Sequence, residues 1–410
     1  MGGYGEGGSA PPRREPLTER AEPQASGVNG NLRYPPTMRS LGRGIAAGLL
    51  LAASGTAAPD ARAEPRVRVR LFASERPVSL APEGSPSRLV GPGRGAAELF
   101  VDGRSRPSPL RLGGAGSVRV GGASYRGAIE VHRVASGLEV VNEVPLEDYV
   151  AGTLHREVSP HWEREALRAQ AVAIRTYALH RMSIAPRGRL HDLEASPGDQ
   201  VYGGIEAETS GARRACRETQ GEYLTWSGRP ILAAFHSSAG GRTASAEEVW
   251  GQPVPYLVSR EVTGEAGSPH AAWRFGVSPA ELGGALARAG KPVGSPRALR
   301  ILERSPSGRV GQLRVDGTGG SRTLSGKALR AALGSRLLKS TLFEVQRSGE
   351  GFVFTGAGYG HGVGMSQWGA RALARDGADY RRILARFYPG ARLQRLGVDG
   401  KSYAVREPAR

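Results

Sequence analysis

The stretch from Val144 to Met182 constrains the fold more than any other part of the chain. Between Trp162 and Met182 there is neither Gly nor Pro, and apolar residues recur at spacings of three and four. This spacing predicts a long helix with one buried face. Ser159-Pro160 and an acidic first turn indicate where that helix starts. The apolar face comprises Leu167, Ala171, Ile174, Ala178 and Met182.

An isolated acidic residue, Glu157, lies just before this predicted helix and close in sequence to Trp162. Partial burial disfavours the charged form of a carboxyl group and raises its pKa. A raised carboxyl pKa is what a general acid needs near neutral pH. The alternative is an ordinary carboxylate at a helix start, stabilised by the helix dipole.

Glu147 and Asp148 are also acidic residues of this stretch. The sequence LEDYV that contains them indicates a helix start instead, with Tyr149 and Val150 packed inward. Glu157 is therefore the predicted acid.

Three further motifs follow, namely QVYGG at 200–204, FHSSAGG at 235–241 with EEVWG at 247–251, and GYGHGVGMSQWGA at 358–370. Together with PLEDYVAGTLHREV and EALRAQAVAIRTYA in the first stretch, they resemble the SpoIID/LytB domain of the stage II sporulation protein D family. The motifs occur in the family's order, and the resemblance spans roughly residues 66 to 393. Four long motifs in register make it specific.

The resemblance implies a lytic transglycosylase that acts on peptidoglycan glycan strands stripped of their stem peptides, with Glu157 as the catalytic acid. Glu157 would protonate the oxygen between N-acetylmuramic acid and N-acetylglucosamine. It would then take the proton of the muramoyl C6 hydroxyl, which closes a 1,6-anhydro ring. One carboxyl group is enough for this chemistry, unlike the usual pair of glycoside hydrolases.

The same family includes amidase enhancers, which bind glycan and activate an N-acetylmuramoyl-L-alanine amidase. The sequence leaves this non-catalytic alternative open. The expected partners are accordingly peptidoglycan glycan strands and such an amidase.

Polar residues of the later motifs are predicted to bind the glycan. Simpler interpretations remain: QVYGG could merely end a loop, and the Gly-rich segment could be a tight turn around a packed Trp368. The Gly-rich segment lacks the Lys of a P-loop, and no G-x-S-x-G elbow frames the serines of FHSSAGG. The predicted substrate-binding residues are Gln200, Tyr202, His236, Ser237, Ser238, His361, Ser366 and Gln367.

No cofactor and no tightly held metal are predicted. Some members of the family bind zinc through cysteines and a histidine in the loop before QVY. Here His191 remains, but Glu194 and Asp199 stand where those cysteines would align, and zinc prefers Cys and His ligands. The chain has one cysteine, Cys216, which excludes an internal disulfide.

The fold class predicted is α+β, with an antiparallel barrel-like or meandering sheet, a long active-site helix and an inserted α+β subdomain. The 60 Gly and 28 Pro indicate many turns. Further helices are predicted at 206–218, 279–289, 326–334 and 366–376, and a hairpin from 222–226 and 231–236. Strands are predicted from residue 66, at 97–101, 117–120, 128–132, 138–141, 298–303, 310–315 and 351–355.

The predicted domain division begins with residues 1–37, which are disordered, and residues 38–63, a secretory signal. The signal has a basic start at Met38, where we expect translation to begin, a short apolar run at 45–53 and the cleavage site Ala61-Arg62-Ala63. The alternative is an uncleaved anchor or a chance apolar patch. A SpoIID-like catalytic core covers 64–251 and 346–393, the inserted subdomain 252–345, and a tail 394–410.

The charge pattern bears on partners and location. The chain carries a net charge of +18, spread along its length without long basic runs, and a basic surface suits an anionic bacterial wall. Charge alone would also fit an extracellular nucleic-acid binder, but the absent basic runs lead us to predict no nucleic-acid partner. The predicted location is exported, in the periplasm or cell wall, with no integral membrane domain after signal cleavage.

Overall fold

The computed structural model describes residues 64–349 and 351–397. The predicted disordered segment and secretory signal, together with residues 398–410 of the predicted tail, lie outside the described residues. Within the described part, none of the helices has the length and apolar composition needed to cross a membrane.

The first half of the described chain builds a mixed sheet of nine strands in the order β5-β4-β3-β2-β6-β7-β8-β1-β9. Neighbours are antiparallel except β1 and β9, which are parallel. The sheet ends at β5 and β9, so across the described residues it is open and not a closed barrel. The strands are β1 (Arg66–Ser74), β2 (Val78–Pro82), β3 (Arg88–Pro92), β4 (Glu98–Val101), β5 (Arg104–Pro107), β6 (Leu110–Val120), β7 (Ala123–Val134), β8 (Gly137–Pro145) and β9 (Leu193–Glu194).

Strand β1 shows why this sheet forms. Its sequence alternates, so Val67 and Val69 are fully buried while Arg66, Arg68 and Arg70 point away from the core. Side chains of a strand alternate between its two faces, which makes this pattern suit a sheet with one buried face. Arg68 also pairs with Asp192 at 2.7 Å, next to the short strand β9.

Eight α-helices occur in the described chain, and the second is central. They are α1 (Leu146–Glu157), α2 (Arg164–Ile184), α3 (Ser210–Glu218), α4 (Ala246–Trp250), α5 (Pro279–Arg288), α6 (Gly326–Leu333), α7 (Gln367–Arg375) and α8 (Tyr380–Phe387). Every residue of α2 from Ala169 to His180 is buried. The predicted single apolar face therefore understates how completely α2 is enclosed. Its fully buried Arg175 is balanced by Glu147, 2.6 Å away.

Two of the predicted elements differ in the structure. The helix predicted at 206–218 divides into a single 3₁₀ turn, Ile205–Ala207, and α3, because the Thr209 side chain caps α3 by accepting from the Ala212 N–H. The hairpin predicted at 222–236 is wrong in its second arm, since the strand paired with 222–226 on that side is Arg229–Pro230 and the ladder ends with the Ile231 N–H bond to the Leu224 carbonyl. On its other side 222–226 pairs with Arg392–Arg395.

The rest of the predicted arm turns into the core and pairs with a distant segment. Phe235–His236 runs parallel to Met365–Ser366, which joins the FHSSAGG motif to the Gly-rich motif. The remaining strands are β10 (Glu222–Trp226), β11 (Arg229–Pro230), β12 (Phe235–His236), β13 (Trp273–Val277), β14 (Pro296–Arg304), β15 (Val310–Gly317), β16 (Gly320–Ser325), β17 (Phe343–Ser348), β18 (Gly351–Gly356), β19 (Met365–Ser366) and β20 (Arg392–Arg395).

Residues 273–356, which we call the inserted unit, have a hydrophobic cluster of their own. The cluster extends past residue 345, because Phe352 and Phe354 of β18 belong to it and β18 pairs with β13 and β17. Strand β18 thus packs in the inserted unit and not, as the sequence predicts, in the catalytic core. The exact limits of a functional domain remain a prediction.

Candidate active site

Glu157 is the last residue of α1, and it is almost fully buried at 2 % exposure. The helix ends there because Val158 is extended. Glu157 Oε1 accepts a 2.8 Å hydrogen bond from the backbone N–H of Val201. Although the sequence predicts Glu157 just before the long helix, it ends a helix of its own, so it does not lie at the positive end of a helix dipole. The carboxyl group is withdrawn from bulk water and oriented by the protein.

The QVYGG motif packs directly on α1. Gln200 is fully buried, and its Oε1 accepts a 2.7 Å hydrogen bond from the Tyr149 hydroxyl. The Tyr202 hydroxyl donates to Asn142 Oδ1 at 3.0 Å, and burial raises the pKa of Tyr202 well above its usual value. A Cβ on Gly152 of α1 would lie 2.7 Å from the Tyr202 ring, so Gly allows this close packing. Tyr202 supports α1, and its assignment as a substrate-binding residue stays a prediction.

His236 is the central residue of a second group. The imidazole is fully buried and its Nδ1 lies 3.1 Å from the Val363 carbonyl oxygen. Because a carbonyl can only accept, Nδ1 carries the proton and Nε2 is left as an acceptor. Burial, reinforced by the neighbouring His361 and Arg309, holds the pKa of His236 well below its usual value. His236 is therefore a neutral group at neutral pH.

The Gly-rich loop, residues 358–366, lies against β12. His361 Nδ1 accepts from the Val363 N–H at 3.0 Å, which leaves the proton on Nε2. A Cβ on Gly360 would lie 2.7 Å from His236 Cβ, and one on Gly364 would lie 2.0 Å from the Ala234 carbonyl oxygen. Both glycines also have positive φ, +116° and +74°. The close approach that these two glycines allow is to the protein's own chain at residues 234–236.

Glu265, which no motif in the sequence singles out, holds this second group together. Its Oε1 accepts from the Ala239 N–H at 2.8 Å, and its Oε2 accepts from the N–H groups of Gly240 and Gly241 at 2.9 and 3.2 Å. The Ser366 hydroxyl donates to the same carboxylate. One buried side chain thus joins the FHSSAGG motif to the start of α7. Its position in a Gly-rich stretch with no periodicity gave no signal.

Two tryptophans connect the Glu157 group to the second group. The ring centroids of Trp162, in the turn after Glu157, and Trp368, in α7, are 5.1 Å apart. Arg371 Cζ lies 5.2 and 4.9 Å from these two rings. Arg371 also bonds to Glu163 at 3.1 Å. The turn that follows the predicted acid is thus fixed against the start of α7, beside Gln367.

Five of the fourteen buried side-chain nitrogen and oxygen atoms that lack a hydrogen-bond partner among the described residues belong to predicted site residues. Such atoms are costly unless a ligand or water satisfies them. Both donors and acceptors are present, which suits a ligand rich in hydroxyl and amide groups. Gln170 of α2, a further buried residue that the sequence analysis did not select, has the same property. The atoms on the predicted site residues and on Gln170 are Gln200 Nε2, His236 Nε2, Ser238 Oγ, His361 Nε2, Gln367 Nε2, Gln170 Oε1 and Gln170 Nε2.

The loop before QVYGG is held by ion pairs and hydrogen bonds. His191 Nδ1 lies 2.7 Å from Glu139 Oε1, and Asp199 accepts a 2.8 Å bond from the Tyr177 hydroxyl. Asp199 also accepts from the Glu194 N–H at 2.9 Å. In the described ranges, no group of three or more His, Cys, Asp or Glu residues is arranged to hold a metal ion. The side chains of His191 and Asp199 thus hold the loop before QVYGG through contacts within the protein.

The buried histidines predict a pH dependence of stability. Burial, reinforced by Arg330, lowers the pKa of His361 to about 3, whereas in the unfolded chain it is about 6.5. His361 therefore stabilises the fold above pH 6.5, and this contribution is lost as the pH falls, because only the unfolded state gains the proton. Between pH 7 and pH 5 we expect a loss of about 2 kcal/mol from this residue.

Urea unfolding of the wild type and of His361→Gln at pH 7 and pH 5 measures this contribution. From pH 7 to pH 5 the free energy of unfolding should decrease in both proteins, but the decrease should be about 2 kcal/mol smaller in His361→Gln, because glutamine does not titrate. An equal fall in both proteins would contradict a neutral, buried His361.

Comparison with known proteins adds independent information. The family described as "Stage II sporulation protein" (SpoIID) matches residues 134–226, and a domain of unknown function (DUF8618) matches residues 245–364. Stage II sporulation protein D of Bacillus subtilis is 32% identical over 294 residues, which cover 68% of this chain and 82% of that protein. An uncharacterised protein of Brachyspira hyodysenteriae is 34% identical over 271 residues, 66% of this chain and 72% of the relative. The amidase enhancer of Bacillus subtilis is 30% identical over 290 residues, 59% of this chain and 40% of the enhancer.

Proposed function

The chain belongs to the stage II sporulation protein D family, and from this membership we propose that it is an exported lytic transglycosylase of peptidoglycan. Its substrate would be denuded glycan, cleaved between N-acetylmuramic acid and N-acetylglucosamine. The observation that carries the proposal is the carboxyl group of Glu157, buried and oriented by the Val201 N–H. Glu157 is also the residue that aligns with the catalytic acid in the family resemblance.

In the proposed reaction Glu157 acts twice. As an acid it donates its proton to the glycosidic oxygen while the bond from that oxygen to the muramoyl C1 breaks. The C6 hydroxyl of the same muramoyl residue then bonds to C1, and the Glu157 carboxylate takes the hydroxyl proton. The carboxyl group ends in its starting form, no water is consumed, and the product carries a 1,6-anhydro ring. One positioned acid–base group is sufficient.

The second group would bind the glycan and not transfer protons. His236 and His361 are neutral and buried, so they suit hydrogen bonding to hydroxyl and amide groups. The Nε2 groups of Gln200 and Gln367, which have no acceptor among the described residues, add donors. Ser237, Ser238 and Ser366 remain predicted substrate-binding residues on the same grounds as in the sequence analysis.

The alternative function is an amidase enhancer that binds glycan without cleaving it. The observation that favours it is the 30% identity to the Bacillus subtilis amidase enhancer, although this chain aligns with only 40% of that protein. The partner would then be an N-acetylmuramoyl-L-alanine amidase.

Incubation of the protein with purified denuded glycan strands, followed by mass spectrometry, tests the proposal. We expect fragments that end in 1,6-anhydro-N-acetylmuramic acid. A parallel reaction contains intact peptidoglycan and an added amidase. Stimulation of the amidase without anhydro fragments would instead support the enhancer.

A further inference from the structure

A small cavity lies where the inserted unit meets the Gly-rich loop. Its volume is about 170 Å³, below the 300 Å³ or more of pockets that enclose a drug-sized ligand. It could hold a small branch of a ligand but not a disaccharide. The side chains that bear on its chemistry are Trp250 of α4, His361 of the Gly-rich loop, and Arg309, Lys327 and Arg330 of the inserted unit.

Arg309 is the most unusual residue of this cavity, because it is a cation that is only 3 % exposed. Its Nη2 donates to the carbonyl oxygens of Ala239 and Arg242 at 2.9 and 3.2 Å. Its Nε and Nη1 have no acceptor among the described residues. Burial lowers the pKa of Arg309 to about 10. The charges of Glu248 and Glu265 partly favour its charged form, but buried N–H donors without acceptors remain unfavourable unless a ligand or water supplies an acceptor.

The other polar groups of the cavity are also mostly donors. His361 offers an N–H at Nε2, because Nδ1 accepts from the protein backbone. Lys327 lies exposed in α6, and Arg330 Nε donates to the carbonyl groups of Leu338 and Lys339.

One carboxylate, that of Glu248, also lines the cavity. Its Oε1 accepts from the Ser245 N–H and its Oε2 from the Ser307 N–H, both at 3.0 Å. The hydroxyl groups of Ser305 and Ser307 also donate to this carboxylate, so the protein already satisfies much of it, while three cationic side chains line the same small space. The cavity is therefore cationic and rich in donors, which suits a small anionic acceptor.

We propose that this cavity binds a carboxylate group of peptidoglycan, with Arg309, Lys327 and Arg330 supplying positive charge and His361 a neutral N–H. The inference rests on the proposed function, under which the ligand is a glycan strand. Carboxylates on such a strand come from two sources, the lactyl group of muramic acid once its peptide is removed, and the stem peptide where it is retained. Both present the same planar acceptor, and a cationic site of this size would accept either.

The test measures binding of soluble glycan fragments to the full chain carrying Glu157→Gln, which prevents turnover. Three probes are compared by calorimetry: denuded fragments, the same fragments with lactyl carboxylates converted to amides, and fragments that retain stem peptides. The dissociation constant of each probe is measured for three proteins: the Glu157→Gln protein, called the parent, and the parent with either Lys327→Glu or Lys291→Glu added. Lys291 is a matched control because it belongs to the inserted unit but does not line the cavity.

We expect Lys327→Glu to weaken binding of the carboxylate-bearing probe about tenfold or more, while Lys291→Glu leaves it unchanged. Amidated fragments should bind more weakly to the parent and should not respond to Lys327→Glu. If only the peptide-bearing probe responds, the stem peptide is the source of the carboxylate, and if the denuded probe responds, it is the lactyl group.

Equal binding of the free and amidated fragments, with no effect of Lys327→Glu on any probe, would overturn the inference. Failure of the proposed function is recognised separately in the wild-type protein. If the proposed function is wrong, the wild-type protein will produce no 1,6-anhydro ends, whether or not it shows carboxylate-dependent binding.

Discussion

Replacing Glu157 by Gln is expected to reduce the formation of 1,6-anhydro ends by about 10² to 10⁴, the usual contribution of a general acid–base residue. The amide keeps the size of the side chain and an oxygen that can accept from the Val201 N–H. It can neither protonate the glycosidic oxygen nor take the proton of the C6 hydroxyl. The loss should therefore fall on the reaction rate, while binding of denuded glycan is retained. The measurement is product release from denuded glycan, quantified by mass spectrometry.

Glu75→Gln is the matched control for this experiment, because Glu75 lies exposed in the turn after β1 and the substitution is chemically identical. It should leave the rate unchanged. If Glu157→Gln formed anhydro ends at the wild-type rate while folding normally, Glu157 would not be the catalytic residue. The enhancer function would be favoured by two results together. The wild type would form no anhydro ends, and Glu157→Gln would still stimulate an added amidase.

Replacing Glu265 by Gln should lower the free energy of unfolding by about 3 kcal/mol, because a buried carboxylate with several hydrogen bonds is lost. The carboxylate accepts from three consecutive backbone N–H groups, of Ala239, Gly240 and Gly241, and from the Ser366 hydroxyl. An amide has only one oxygen, so its NH₂ group would face donors. The measurement is urea unfolding followed by circular dichroism.

Glu261→Gln provides the control for Glu265. Glu261 is four residues away and pairs with Arg242, but its side chain is 69% exposed, and exposed ion pairs contribute little to stability. The control should remain within about 1 kcal/mol of the wild type. A similar free energy of unfolding for both variants would show that Glu265 does not hold the two motifs together.

The elements whose formation depends on local sequence could be predicted. The spacing of apolar residues in α2 predicted a helix from 162 to 182, and the structure has Arg164–Ile184. The predicted inward packing of Tyr149 and Val150 is confirmed, since both are fully buried. These patterns arise from side-chain periodicity within a single element, which is visible in a single sequence.

The contacts that assemble the candidate site could not be predicted in this way. Strand β12 was expected to form a hairpin, but it pairs with Met365–Ser366, about 130 residues further along the chain. The cap at Thr209 and the carboxylate of Glu265 act through hydrogen bonds that leave no periodic signal. The open sheet likewise depends on which strands form the edges, and strand propensity does not determine that order.

Arg309 connects the inserted unit to the segment that carries the FHSSAGG motif. This side chain comes from the inserted unit, yet its Nη2 satisfies the carbonyl groups of Ala239 and Arg242, and its guanidinium group fills the space beside Gly362. Excising the unit and joining its ends with a short linker would leave two main-chain acceptors and a void beside the FHSSAGG motif. The inserted unit is thus structurally integrated with the segment that carries the FHSSAGG motif and could not be removed without loss of stability.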